Sequence, residues 1–354
     1  MFKIPEQWQR VGLVLSHAQV GQNTQVVGDP CVVWDAEESV WRMFLFIQPT
    51  GHGQAVYQTD SATGKAQWHY RGALTFTNPH ALIGGTTHKP FVVMDAYRPN
   101  QPARIDGRYG LVTVSFDNSH KVVQQAWSDR LAGPWTVDEH LLIDRGQAGA
   151  FDEKHVDAVS AYYFASRKEI LYFYMGYPYE RQPFALSPYG SALGSAIQKV
   201  DTGYTTKVGL ALEPSGRLGH WGSGYVGGMQ LFPGRDHKWI GLVNASPTPP
   251  HPNDMSPWRE EPPPSLAGFV YCDEEIPTHH WHWYEHPIEQ IDEIPDYALA
   301  WGERTNFWRQ HIWIQLDGRA LLLYNSGLYG SEQLFAKVSD VAFQIHDTIA
   351  MELP

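Results

Sequence analysis

Two aspartates, Asp29 and Asp157, stand at the heads of apolar runs, Gly28-Asp29-Pro30-Cys31-Val32-Val33 and His155-Val156-Asp157-Ala158-Val159-Ser160. A carboxylate so placed can attack as a nucleophile or act as the base that activates a water. The local sequence leaves simpler roles open. Asp29 before Pro30 suits a turn, and Asp157 could satisfy amides at a strand end. Asp152 reads as a residue that braces its loop. Four histidines, His88, His155, His220 and His311, also fall near the starts of such runs. Imidazole does acid–base work near neutral pH, and two or three of these rings could hold a divalent metal or ligand hydroxyls. Arg304 and Arg309 offer planar donor forks suited to carboxylates or hydroxyls. The tract His279-His280-Trp281-His282, with His286 close by, reads either as a metal tract or as a surface strand whose alternation puts His280 and His282 on one face.

The elements that must position these groups recur. Strand-like openings at Gly28, His88, His155, Tyr225 and Asn306 return about every 70 residues, a period typical of radial repeats. Each is followed by a second strand: Trp41-Arg42-Met43-Phe44-Leu45-Phe46, Arg108-Tyr109-Gly110-Leu111-Val112-Thr113-Val114, Glu169-Ile170-Leu171-Tyr172-Phe173-Tyr174, Lys238-Trp239-Ile240-Gly241-Leu242-Val243 and Arg319-Ala320-Leu321-Leu322-Leu323-Tyr324. Short strands, abundant aromatics (13%) and turn-forming Gly (32) and Pro (25) give an all-β chain. The expectation is one five-bladed β-propeller, with blades near residues 25–78, 79–145, 146–213, 214–297 and 298–354. Residues 1–24 could help complete the ring, and 341–354 return as a closing strand. The proline-rich stretch Ser246 to Ser265 reads as a loop over the central site or as a linker.

Three segments carry a family resemblance: Gly28-Asp29-Pro30 leading into an apolar strand; Ala126-Trp127-Ser128-Asp129-Arg130-Leu131-Ala132-Gly133-Pro134-Trp135; and Phe151-Asp152-Glu153-Lys154-His155-Val156-Asp157 followed by Ile170-Leu171-Tyr172-Phe173-Tyr174-Met175-Gly176. The chain resembles the five-bladed propeller glycoside hydrolases, namely the arabinanase and β-xylosidase families, the invertase-like families and relatives acting on anhydro-sugars. The resemblance implies Asp29 as base or nucleophile, and Asp157 as a carboxylate that orients substrate and adjusts the acid's pKa. Ala158 stands where a proline often follows in those families. Their acid is usually a glutamate on the fourth blade's inner strand, but Trp221-Gly222-Ser223-Gly224-Tyr225-Val226-Gly227-Gly228-Met229-Gln230 has no carboxylate. His220, Tyr225 and Glu303 are the substitutes expected first, with His88 or His155 behind them; anhydro-sugar relatives set a precedent for histidine. His88, His155, Trp221, Arg304 and Trp308 are candidates for holding a sugar. Trp34, Tyr177, Tyr179, Trp221, Tyr225 and Trp308 could stack on sugar faces or pack between blades.

The implied activity is hydrolysis of a small saccharide or glycoside with an atypical acid. The alternatives are other chemistry in the same pocket (lyase, transferase or metal-assisted), sugar binding without catalysis, or a protein-interaction scaffold. A net charge of −12 argues against a nucleic-acid partner, and no long apolar stretch argues for a membrane span. The Met1-Phe2-Lys3-Ile4-Pro5-Glu6 start lacks a signal-peptide pattern, which together with only two cysteines, Cys31 and Cys272, makes a cytoplasmic protein the expectation. Phosphate loops, nucleophile elbows and paired-cysteine metal motifs are absent. No cofactor is required by the pattern, although a divalent metal in the central channel fits the histidines.

Overall fold

The computed structural model describes residues 2–61, 63–178, 190–247, 265–289, 295–300, 302–303, 308–328 and 330–342, with the side chains of 308, 341 and 342 outside that description. Five sheets form a five-bladed β-propeller, antiparallel throughout except where the short strand Met94–Asp95 pairs in parallel with the third blade's inner strand. From inner to outer strand, the first blade comprises Val26–Asp35, Val40–Gln48, Gly53–Thr59 and Ala66–Gly72. The second comprises His88–Val92, Arg108–Asp117, His120–Ser128 and Thr136–Val137, and the third His155–Phe164, Glu169–Tyr177, Ala192–Lys199 and Thr205–Leu212. The fourth runs Tyr225–Pro233, Trp239–Ser246, Leu266–Cys272 and His282–Pro287. The fifth takes Trp308–Ile314, Arg319–Ser326 and Gln333–Ala342 from the end of the chain and its outermost strand, Trp8–Leu15, from the start. Trp8 lies opposite Ser339 and Leu15 opposite Leu334, so both ends of the chain share one sheet and close the ring. Residues 343–354, expected to return as a closing strand, lie outside the described residues.

Inner and middle strands are buried on both faces, which explains why they read as continuous apolar runs rather than as alternating ones. Trp135, from the Gly133-Pro134-Trp135 turn, is wholly buried; its amide donates to the Thr75 carbonyl (2.8 Å) and its carbonyl accepts from Thr77 (2.9 Å). The turn thus ties the second blade's edge to the chain leaving the first.

One irregularity repeats in all five blades. Every inner strand carries a bulge near its start, where two residues oppose one: Asp29-Pro30, Lys89-Pro90, Ala158-Val159, Gly227-Gly228 and Arg309-Gln310. At four of the five, the first bulge residue has positive φ: Asp29 (48°), Lys89 (50°), Ala158 (46°) and Arg309 (21°). Non-glycine residues rarely adopt this conformation, and bulges re-aim side chains next to functional sites. The five equivalent positions therefore form a ring around the axis.

Below that ring the axis is plugged. The His311 Nε2 accepts from the Val32 amide (3.2 Å) and lies 3.0 Å from the Asn100 amide nitrogen and 3.3 Å from that of Gln230. Asn100 and Gln230 also satisfy the open edge of the fifth inner strand. Asn100 donates to the Ile312 carbonyl (3.1 Å) and accepts from Ile314 (2.9 Å), while Gln230 donates to Ile312 (3.0 Å) and accepts from it (2.6 Å). At this edge of the fifth inner strand, side-chain amides supply the partners that an adjacent strand would have given. Burial lowers the His311 pKa to about 3, so the ring is neutral in the folded protein. The unfolded chain takes its proton near pH 6.5, so this contribution to stability is complete above that pH and is lost as pH falls toward 3. The expected result is a fall in unfolding free energy of about 1.4 kcal/mol per pH unit between pH 6 and 4 attributable to this ring. Urea melts of wild type and His311→Asn across that window should differ in slope by this amount; parallel slopes would remove the assignment.

Candidate active site

The bulge ring gathers charge at the end of the axis where the inner strands begin. The Lys89 ammonium lies 3.7 Å from Asp29 Oδ2 and 3.2 Å from Asp157 Oδ1, and the Lys121 ammonium lies 2.5 Å from Asp157 Oδ2. Lys121 comes from the second blade's third strand, just after the hairpin turn at Asn118-Ser119. Asp29 and Asp157 thus share one lysine at one end of the axis. Both carboxylates are buried, whereas the Lys89 and Lys121 side chains are 23% and 27% exposed, so a ligand would meet ammonium groups first and carboxylates beneath them.

Asp157 has a defined state. Burial alone would raise the Asp157 pKa, but Lys121 and Lys89, together with the Ala158 amide (2.7 Å), hold it far below the usual carboxylate range. Asp157 is a fixed negative charge. Asp29 Oδ1 accepts from the Asn325 amide (3.3 Å), and the Asn325 oxygen accepts from the Asp29 backbone N–H (3.3 Å). Gly28 is what permits this contact: a β-carbon there would lie 2.5 Å from the Asn325 Nδ2. Glu332, buried where the fifth blade meets the first, has its pKa raised, chiefly by burial and also by the Asp29 charge, against the pull of amides in its own loop. Its backbone carbonyl accepts from the Val27 amide at 2.9 Å, two residues before Asp29.

Arg309 holds the fifth blade's place in the same ring of bulges. Its guanidinium donates to the Val159 carbonyl and, at 3.4 Å, to the Lys89 carbonyl, and it lies 5.1 Å above the Phe91 ring. Ala158 and Gly227 occupy the equivalent bulge positions of the third and fourth blades, and a β-carbon at Gly228 would sit 3.3 Å from the Arg309 Cγ. Small residues on these two blades leave the space that the arginine fills. Beside it, Gln310 is buried, and both atoms of its side-chain amide lack a hydrogen-bond partner among the described residues. A buried amide in that condition is what a polar ligand would satisfy.

His88 and His155 stand at the rim. Burial first, then the charges of Lys89 and Lys121, lowers the His88 pKa to about 4; burial, then Lys121, does the same for His155. His155 Nδ1 accepts the Lys121 amide at 3.2 Å, and its ring lies 5.9 Å from that of Tyr177. Both imidazoles are neutral near pH 7; with its Nδ1 occupied, His155 keeps an Nε2–H to donate, while His88 can offer one donor and one acceptor.

The substitutes expected for the acid do not join this group. His220 Nδ1 accepts the Gly222 amide (3.1 Å) and Nε2 faces the Tyr284 carbonyl (3.3 Å), within a cluster with Trp221 and Trp283 on the fourth blade. Both ring nitrogens are committed. Trp221, whose indole donates to the same carbonyl at 3.0 Å, packs between strands instead of joining the group. Tyr225 is buried within the fourth blade beside Ser265 and Asn244, and burial raises its hydroxyl pKa. Glu303 accepts from Tyr324 (2.7 Å) and Arg10 (3.2 Å). Tyr324 and Asn325 are successive strand residues and point to opposite faces, so Glu303 sits on the far face of the fifth blade from Asp29. Arg304 and Tyr179 lie outside the described residues, as does the stretch 248–264, and of Trp308 only the backbone, opposite Asn325, is described. Asp152 braces its loop, bound to Lys207 (2.6 Å) and Tyr174 (3.0 Å).

Lys89, Lys121, Gln310, Asn325 and Glu332 were not singled out from the sequence. The Lys89-Pro90 pair repeats the Asp29-Pro30 spacing and was the available sign for one of them; the others depend on which face of a strand turns to the axis.

No family model and no curated protein matches the chain. Solved structures do match in fold. A glycoside hydrolase aligns over 94% of this chain and 92% of its own with a TM-score of 0.66 at 12% identity. An endo-arabinase from Bacteroides thetaiotaomicron aligns over 94% and 99% (TM-score 0.59, 13% identity), and an α-L-arabinofuranosidase from Podospora anserina, solved with cellotriose, over 96% and 98% (TM-score 0.60, 11% identity). The chain is similar to these enzymes in its whole architecture.

Proposed function

We propose that the protein is a glycoside hydrolase acting on a small saccharide or glycoside held in a hollow at the start of the inner strands. The observation that carries this reading is the convergence of Asp29 and Asp157 on Lys89, on a scaffold whose solved neighbours are named as glycosidases. Glycoside hydrolysis needs one carboxylate to attack or activate water and one carboxylic acid to protonate the leaving oxygen. Asp29 is the base or nucleophile, oriented by Asn325. Asp157 is not an acid; its charge holds Lys89 and Lys121 in place, and these, with the neutral rings of His88 and His155, bind sugar oxygens. The proton donor in this reading is Glu332, whose carboxyl is held protonated to higher pH while Asp157 is pushed the other way. Carboxyls whose surroundings separate their pKa values divide acid and base roles between them.

The test is a panel of aryl glycosides assayed with wild type and Glu332→Gln. Loss of a general acid slows turnover by about 10²–10⁴-fold for a poor leaving group, and far less for a dinitrophenolate that departs without a proton. No turnover of any glycoside by wild type would end the hydrolase reading. An equal loss on both leaving groups would remove Glu332 from the acid's role and leave the rest standing.

A further inference from the structure

On the opposite side of the fourth blade from the hollow, the loop joining Leu266–Cys272 to His282–Pro287 brings Glu274, His279 and His280 together, with one donor atom from each inside a 4.8 Å group. We propose that these three side chains form a zinc site on this loop, independent of the catalytic reading. The expected strand alternation does not occur here. The strand begins only at His282, and His280 takes a left-handed conformation (φ 55°). In an extended chain, neighbouring side chains point apart; this turn swings the two rings together, with centroids 4.3 Å apart. Histidine tolerates that conformation better than most residues, but it is still uncommon.

The donor set is two imidazoles and one carboxylate, a combination that binds zinc with a position left for water. Glu274 Oε1 lies 3.4 Å from His279 Nε2, close to the ~3.3 Å separating two ligands about 2.0 Å from a tetrahedral ion. It lies 2.5 Å from His280 Nδ1, a hydrogen bond that the ion would replace. The Thr278 hydroxyl, 2.7 Å from His279 Nδ1, can accept that N–H and leave Nε2 free to ligate, as outer partners of ligand histidines do.

The loop is anchored before any ion arrives. Thr278 is buried and its carbonyl accepts from Ser195 (2.9 Å), Cys272 donates to the His279 carbonyl (3.3 Å), and the Trp239 indole donates to the Glu274 carbonyl (3.1 Å). Trp281, one residue beyond His280, is buried with its indole on the Pro277 carbonyl (3.1 Å). A scaffold fixed on both sides of the ligands lowers the ordering cost of binding.

The experiment is calorimetric titration of chelator-treated full chain with Zn²⁺, repeated with Co²⁺ for the absorption bands of a four-coordinate ion. Saturable binding of one ion per chain is expected, weakened at least 10-fold by Glu274→Gln and by His279→Ala and unchanged by His140→Ala, an exposed histidine elsewhere. The side chains of Glu274 and His279 are partly exposed and that of His140 is exposed, and circular dichroism checks that each variant folds. No stoichiometric binding, or binding that ignores Glu274→Gln and His279→Ala, would overturn the proposal.

Discussion

Asp29→Asn should abolish turnover, lowering kcat by on the order of 10³-fold or more while leaving the fold intact. The size follows from the step that is lost. An amide can neither attack an anomeric carbon nor take a proton from water, and removing the group that does so costs most of the chemical acceleration. Structure survives because the replacement is nearly isosteric. The Asn325 amide can still pair with the remaining oxygen, and the positive φ of residue 29 is better tolerated by Asn than by almost any other side chain. The Lys89 ammonium keeps its shorter contact, to Asp157 at 3.2 Å. The measurement is kcat on the best aryl glycoside from the panel, beside a thermal melt. Loss of rate with an unchanged melt is the expected pair; turnover within 10-fold of wild type would remove Asp29 from the chemistry. Neutralising Asp157 works differently, since it strips two ammonium groups of their shared partner and should disturb binding as well as rate.

The propeller was legible because its inner and middle strands are buried on both faces. That physical demand writes long apolar runs into the sequence, and five of them at an even spacing admit few other arrangements. Asp29 and Asp157 were legible for the same reason, as charges interrupting runs that tolerate few. The acid was not. His220, Tyr225 and Glu303 all lie near strand ends, where sequence position resembles that of Asp29, but what decides their role is the direction of the side chain. Glu303 shows this: its partner Tyr324 and the Asp29 partner Asn325 are neighbours in sequence on opposite faces of one strand. Lys121 was hidden for another reason, since it reaches the axis from the third strand of a blade, through a hairpin turn whose reach over the hollow no local pattern encodes.

The repeated bulge explains how a five-fold scaffold holds an asymmetric site. Each blade presents one re-aimed residue at the same level, and the five differ in kind: aspartate, lysine, alanine, glycine, arginine. The geometry belongs to the fold, whereas the chemistry is written one residue per blade. The fourth blade contributes Gly227-Gly228, and Arg309 packs beside Gly228, where a β-carbon would lie 3.3 Å from the Arg309 Cγ.

Lys337→Met should destabilise the protein by about 3–5 kcal/mol, the range for removing one partner of a buried ion pair. Lys337 and Glu289 pair directly, both buried, and Glu289 also binds the Arg10 guanidinium, which reaches Glu303 on its other side. Burial lowers the Lys337 pKa despite the pull of Glu289, a sign that desolvation of this ammonium outweighs the attraction of its partner. Methionine fills the volume but leaves the Glu289 carboxylate to the half-exposed side of the network. The location raises the stakes. Lys337 and Arg10 face each other across the pairing of Gln333–Ala342 with Trp8–Leu15, the seam that closes the ring. Weakening it should free the N-terminal strand, so hydrogen exchange in residues 8–15 ought to rise together with the loss seen in urea. The double variant Lys337→Met, Glu289→Leu should recover much of the stability, because an apolar pair of similar volume carries no desolvation cost. A single variant within 1 kcal/mol of wild type, or a double variant no better than the single, would show that the network does not hold the ring shut.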